Sequence, residues 1–238
     1  MIFQILHNVV LWIYIPIVFT IWAPVGVILG LLSPPFRHQM HKISQWWGRF
    51  IVFPALGVKV DVRQDGSIPD GACIFMSNHQ SYLDILVLLG HLPGFFSFIA
   101  KKELFSIPFL GWYIKGAGHI FIEREDSVKS LDALKKSLLR LKAGIPIIVF
   151  PEGTRGKEDE LLPFKRGGFL IAASAGVPIV PIRIRGTSKI IPRGSVWVRS
   201  GPISLHIGKQ IDVQNMTGNK KEREKQLADM IRRAIESL

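Results

Sequence analysis

The chain has 238 residues, 48% of them hydrophobic, and 30 Lys and Arg against 18 Asp and Glu leave a net charge of +12. A length of about 150–250 residues suits one domain around a single core, and so much apolar surface excludes a disordered or low-complexity chain. The one cysteine, Cys73, excludes an internal disulfide and a thiolate metal cluster, and with them the disulfide-built extracellular scaffolds.

Residues 1–60 contain no Asp or Glu, and the first charged side chain is Arg37. Residues 2–32 are therefore an apolar stretch whose polar members are Gln4, His7, Asn8 and Thr20. A span needs about 20 apolar residues, so this stretch is long enough to cross a bilayer once. Pro16 and Pro24 leave a bent, re-entrant hairpin equally open. No Lys or Arg precedes the stretch and no small-residue cleavage pattern follows it, which is unlike a cleaved signal peptide. The next run mixes Phe36, Trp46, Trp47 and Phe50 with His38, His41, Lys42 and Arg49, the composition of a helix at a lipid headgroup boundary. An ordinary core helix is the alternative. His38 and His41 stand three apart without a third ligand and are expected to be interfacial polar residues rather than a metal site. The expectation is a membrane-embedded helical anchor over 1–57, with the positive residues after it placing the rest on the cytoplasmic face.

From residue 58 the texture is α/β. Strands are predicted at 58–62, 72–76, 120–122, 145–150, 177–184, 195–198 and 203–207; the two prolines in 177–184 mark it as an edge or irregular strand. Helices are predicted at 82–89 closed by Gly90, at 127–142 ended by Gly144, at 169–175 ended by Gly176, and at 220–238. Strands alternating with helices of this length imply a mostly parallel or mixed sheet covered by helices, a single α/β domain over 58–238.

Chemistry gathers at two strand ends. The first is Ser77-Asn78-His79-Gln80-Ser81-Tyr82-Leu83-Asp84. Five residues on one helix turn about 140° around its axis, so His79 and Asp84 meet only if His79 lies in the loop and Asp84 in the first helical turn. Ser81-x-x-Asp84 fits a capping box and supplies that geometry. Asp84 as a helix cap beside a polar loop histidine is one reading. The other is a general base, His79, whose second ring nitrogen is held by Asp84. Ser77 and Ser81 are poor nucleophile candidates, Cys73 reads as a small buried hydrophobe, and no G-x-S-x-G elbow is present. That favours activation of an external hydroxyl and direct transfer.

The second strand end is Phe150-Pro151-Glu152-Gly153-Thr154-Arg155. Glu152 and Thr154 suit hydroxyls and Arg155 a phosphate, while a tight turn with a surface Glu–Arg pair is the plain alternative. Lys101-Lys102, Arg124 and Lys165-Arg166 also sit near strand ends and together would make one anion pocket.

Asn78-His79-Gln80-Ser81-Tyr82-Leu83-Asp84 resembles the NHxxxxD block of the glycerolipid acyltransferase superfamily. Gly118-His119-Ile120-Phe121-Ile122-Glu123-Arg124 resembles its G-x-I-F-I-x-R block, and the segments at 150–155 and 177–182 its FPEGTR and VPIVPI blocks. Four blocks in family order are far more specific than one, and the complete FPEGTR form points to the 1-acyl-sn-glycerol-3-phosphate acyltransferases of the PlsC type. The resemblance implies that His79 and Asp84 are the catalytic dyad, that Arg124 and Arg155 with Lys101 hold the acceptor phosphate, and that Glu152, Gly153 and Thr154 shape the glycerol pocket. It implies lysophosphatidate as acceptor and acyl-CoA or acyl-carrier protein as co-substrate, with no metal or redox cofactor. Its bacterial members carry an N-terminal two-helix element on one leaflet. A sister enzyme for glycerol 3-phosphate or another lysolipid, and a non-catalytic protein binding anionic lipid, are the competing readings. The positive charge suits acidic acyl carriers and anionic lipid; nucleic acid is disfavoured, since no binding motif accompanies it.

Overall fold

Ile74, Phe75 and Met76 are apolar at every position because their strand lies inside a sheet with both faces covered. The computed structural model describes residues 8–10, 12–14, 35–108, 110–123, 127–158, 160–195, 197–213 and 219–238. Helix α1 (Pro35–Trp47) continues through a π-turn at Gly48–Val52 into a helical turn at Phe53–Ala55. There follow β1 (Val58–Gln64), β2 (Ile74–Ser77), α2 (Leu83–His91), β3 (Ser97–Lys101), α3 (Leu110–Gly116), β4 (Ile120–Ile122) and α4 (Ser127–Lys142). The chain ends with β5 (Ile147–Val149), α5 (Arg166–Ala175), β6 (Ile179–Arg185), the short α6 (Thr187–Ile190), β7 (Gly201–Ile207) and α7 (Lys220–Ser237).

The seven strands lie in the order β1-β7-β6-β2-β5-β3-β4. Every neighbouring pair is parallel except β6–β7, so β2 to β6 all end along one edge of the sheet. Successive side chains point to opposite faces. Cys73, Phe75, Ile148, Val180 and Ile182 therefore pack with α2 and Phe53 on one side, and Ile74, Met76, Ile147, Val149 and Ile179 with α4, α5 and α7 on the other. Cys73 is a small buried core residue, its thiol pushed up to about 12 by burial. Asn219 and Glu222 form a full capping box at the start of α7.

Several expectations change. The strand with two prolines is central, between β7 and β2, and its residues Ile179 to Ile184 are buried. Pro181 is tolerated there because its nitrogen faces the point where residues 208–210 bulge away, between the Ile182–Ile207 pair and the Ile179–Ile211 bridge. Its carbonyl still accepts from Gly208 N–H at 2.9 Å. No strand forms at the described residues of 195–198: Trp197 N–H bonds Ser195 Oγ, and Val198 exchanges two hydrogen bonds with the Asn8 side chain. Gly90 lies inside α2 rather than past its end, packed against Gly48 where the helices cross closely. Strand β3 and helix α3 went unpredicted.

No helix among the described residues is long and apolar enough to cross a membrane, and most of 2–32, expected to be either a single span or a re-entrant hairpin, lies outside them. Helix α1 buries Met40, His41 and Ser44 while leaving Ile43 and Trp46 exposed, and Phe50 in the π-turn that continues it is exposed too, a spacing that puts these three on one face. His41 is thus a buried residue, edge-on to Phe96, and not the interfacial one expected; burial lowers its pKa to about 4.

Candidate active site

Strand β2 ends at Ser77, and the chain then turns over the strand-end edge before α2 begins at Leu83. Asn78 anchors this turn to β6: its amide nitrogen donates to Ile184 O at 2.8 Å and its oxygen accepts from Ile184 N–H at 2.7 Å. His79 follows in the loop and Asp84 sits in the first turn of α2, the arrangement their spacing demands. Nδ1 of His79 lies 2.8 Å from Asp84 Oδ2. A carboxylate only accepts, so Nδ1 carries the proton and Nε2 keeps its lone pair. Phe150 stacks on the imidazole at 4.1 Å between centroids and 19° between planes, which holds the ring's tilt.

Asp84 is fully buried and its charge is compensated by donors at short range. The N–H groups of Gln80 and Ser81 donate to Oδ2 at 2.6 and 2.8 Å, and the Thr187 hydroxyl reaches Oδ1 at 2.5 Å. The Ser81 N–H bond is one half of the expected capping box; the other half is missing, because Ser81 Oγ donates instead to Ile191 O at 2.9 Å and accepts from Leu83 N–H at 3.3 Å. That occupies Ser81, and Ser77 is fully buried, so neither serine is a nucleophile.

The second predicted segment closes against the first. Glu152 is buried, with Oε1 accepting from His79 N–H at 2.8 Å and Oε2 from Leu162 N–H at 3.0 Å. Burial raises its pKa, with the two backbone N–H groups opposing the rise. Both oxygens are thus engaged by backbone, and Glu152 positions the His79 loop rather than presenting a free carboxylate to a sugar or glycerol. Arg232 of α7 holds the segment that carries Leu162 by donating to Leu161 O and Leu162 O at 2.9 and 3.1 Å. Gly153 has φ of +69°, a backbone conformation that favours glycine; a Cβ there would also come within 2.8 Å of the exposed Lys165 side chain, whose flexible end can move aside. Thr154 is exposed and half-buried Arg155 lays its guanidinium 3.8 Å from the Tyr82 ring centroid, directly on the dyad loop.

The cations are less closely gathered. Lys101 ends β3, two strand spacings or about 10 Å from β2, and pairs with Glu103 at 3.2 Å. Lys102 pairs with Glu123. Arg124 lies outside the described residues, although β4 delivers the chain to the same edge. Among the described residues no group of three His, Cys, Asp or Glu could hold a metal ion. Sequence reasoning missed Thr187, Phe150, Tyr82 and Leu162. Thr187 is 103 residues from Asp84, with no local pattern to join them.

Residues 59–185 match the family described as Acyltransferase. The chain is 39% identical over 185 residues to a chloroplastic 1-acyl-sn-glycerol-3-phosphate acyltransferase of Brassica napus, covering 76% of this chain and 53% of that one. With the enzyme of that name from Haemophilus influenzae it shares 34% identity over 178 residues, covering 74% of this chain and 72% of the relative. The chain spans about half the length of the two plant relatives it matches, 53% and 51%. The crystal structure of the 1-acyl-sn-glycerophosphate acyltransferase PlsC from Thermotoga maritima superposes with a TM-score of 0.80 at 29% identity, covering 99% of this chain and 96% of that one.

Proposed function

Because the chain belongs to the acyltransferase family, we propose that it moves a fatty acyl group from an acyl thioester to the sn-2 hydroxyl of lysophosphatidate, giving phosphatidate. The observation that carries this reading is the buried, fully compensated Asp84 holding His79 so that Nε2 is the free base. Relatives bearing that activity in their names support the substrate.

Lysophosphatidate binds with its acyl chain in lipid and its phosphate near Arg155, Lys101 and Arg124. His79 Nε2 takes the proton of the sn-2 hydroxyl as that oxygen bonds to the thioester carbonyl carbon. Asp84 stabilises the imidazolium so formed. The tetrahedral adduct then collapses with cleavage of the C–S bond, and the leaving sulfur recovers the proton from His79. Products are phosphatidate and the free thiol. The chemistry needs only the two substrates and the dyad; acyl-CoA and acyl-carrier protein both fit as donor, being acidic partners for a chain of net charge +12.

The exposed Ile43 and Trp46 of α1 and Phe50 of the π-turn after it, flanked by Lys42 and Arg49, face the lipid in this reading, with residues 1–57 as the membrane attachment and the rest on the cytoplasmic side. The deciding experiment follows thiol release from acyl-CoA by the detergent-purified chain, with and without lysophosphatidate, for wild type and His79→Ala. Release that depends on lysophosphatidate and disappears in the variant supports direct transfer. Equal release from both proteins overturns the assignment of His79.

A further inference from the structure

We propose that Thr187 is a positioning residue for the reaction, its hydroxyl setting the carboxylate of Asp84 and, through it, the ring of His79. This rests on His79 acting as general base. Thr187 lies two residues beyond the segment that matches the family, 59–185, so its place at the site comes from the structure alone.

The geometry assigns the hydroxyl one direction. Thr187 is fully buried, and its Oγ1 stands 2.5 Å from Asp84 Oδ1, an oxygen that can only accept. Among the described residues it is the one donor on Oδ1, whereas Oδ2 takes the bonds from His79, Gln80 and Ser81. A carboxylate held at one oxygen alone can swing about that point; a donor on each oxygen fixes its plane, and the His79 Nδ1–H bond depends on that plane. The fold brings Thr187 to this position through a sharp turn. Gly186 has φ of +91°, and a Cβ there would lie 2.3 Å from Pro202 O, so the chain leaves β6 in a way open only to glycine. The same segment touches the dyad loop again where Ile191 O accepts from Ser81 Oγ, and it is tied to α6 by Ile191 N–H donating to Thr187 O at 3.0 Å. Asn78 clamps the loop to Ile184 just before. Three contacts thus make the end of β6 and α6 a rigid back wall for the dyad.

A hydrogen bond to the ionised form favours that form. Losing the Thr187 hydroxyl therefore raises the proton affinity of the coupled pair, and the acidic limb of kcat/KM moves to higher pH. Among the described residues, the titratable and charged groups beside the dyad are Glu152, which accepts from His79 N–H, and Tyr82 and Arg155, stacked together on the dyad loop; all three stay the same in every variant compared.

The test uses the full detergent-purified chain, acyl-CoA and lysophosphatidate, with wild type, Thr187→Val, Thr187→Ser, Thr187→Ala and His79→Ala measured side by side. Thr187→Val should lower kcat about 10–100-fold, a part of the ~10²–10⁴ that a positioned general base supplies, with the acceptor KM within about twofold. Its acidic limb should move up in pH, and Thr187→Ser should return kcat and limb toward wild type. Should the valine variant fail to fold, Thr187→Ala removes the hydroxyl without adding a methyl group and is judged by the same two readouts. Wild-type kcat in a folded hydroxyl-free variant overturns the proposal, as does a loss of activity that leaves the limb in place and that serine does not rescue. If His79→Ala keeps lysophosphatidate-dependent release, the general-base reading itself has failed, an outcome separate from the failure of Thr187.

Discussion

The two sides of this site are built to opposite rules. Around Asp84 every contact is short, buried and made largely by backbone: two N–H groups and a hydroxyl on the carboxylate, and a second buried carboxylate, Glu152, on the backbone of His79. On the cation side the contacts lie nearer the surface, Lys101 against an exposed Glu103 and half-buried Arg155 against the face of exposed Tyr82. Buried polar groups are costly to leave unpaired, so they are fixed before substrate arrives. Exposed ion pairs are worth little, so in the proposed function the cations can exchange their partners for the phosphate of the acceptor. Under the proposed mechanism, the comparison teaches that the geometry for proton transfer is pre-set by the fold while anion binding is completed by the ligand.

Variants should separate the two sides by size and kind of effect. Asp84→Asn is expected to lower kcat by ~10³–10⁴-fold, since an amide cannot accept all four donors nor hold the imidazolium, and to reduce stability as well; near-normal kcat would dissolve the contrast. Acid should act next. Buried His41 and His119 have pKa values lowered to about 4 and about 3, each mainly by desolvation. The unfolded chain then binds more protons than the folded one as pH falls below the ordinary histidine value near 6.5, so stability present at neutral pH is lost on acidification. By pH 5 the loss is about 2 kcal/mol for each histidine. Thermal unfolding followed between pH 7 and 5 should show a falling midpoint, and His119→Gln should flatten it.

Glu152→Ala strands two buried N–H groups and should cost about 2–4 kcal/mol of stability together with some kcat, read by thermal unfolding and turnover. Arg155→Ala should be gentlest: the acceptor KM rises about tenfold, roughly 1.4 kcal/mol, with kcat and melting temperature near wild type. An Arg155→Ala variant as unstable as Glu152→Ala would show that the cation side is also part of the rigid frame.

Much of the dyad was legible because it is local. His79 and Asp84 share one loop and one helical turn, and the Ser81-x-x-Asp84 pattern carries enough helix-start chemistry to place them, even though only half of the capping box forms. Glu152 was legible as a site residue but not in its use. Its role depends on His79 N–H, 73 residues away, which no periodicity reports. Pro178 and Pro181, one just before β6 and one within it, misled for a related reason: proline removes one donor, and whether that matters within the strand depends on whether the neighbouring chain bulges at that level, as residues 208–210 do beside Pro181. Strand β3 escaped because Ser97-Phe98-Ile99-Ala100-Lys101 is short and polar at both ends, and only pairing with β4 and β5 makes it a strand.

The sequence by itself determined the α/β alternation, the two chemical segments and the tautomer logic of the dyad, because hydrophobic period, capping chemistry and short-range spacing are properties of a few adjacent residues. Only the tertiary structure decided that β6 is central, that Glu152 faces inward, and that Thr187 completes the carboxylate. Those outcomes depend on which distant backbone and side-chain groups are brought within 3 Å, and parallel strands are joined through crossovers too long for any local pattern to record.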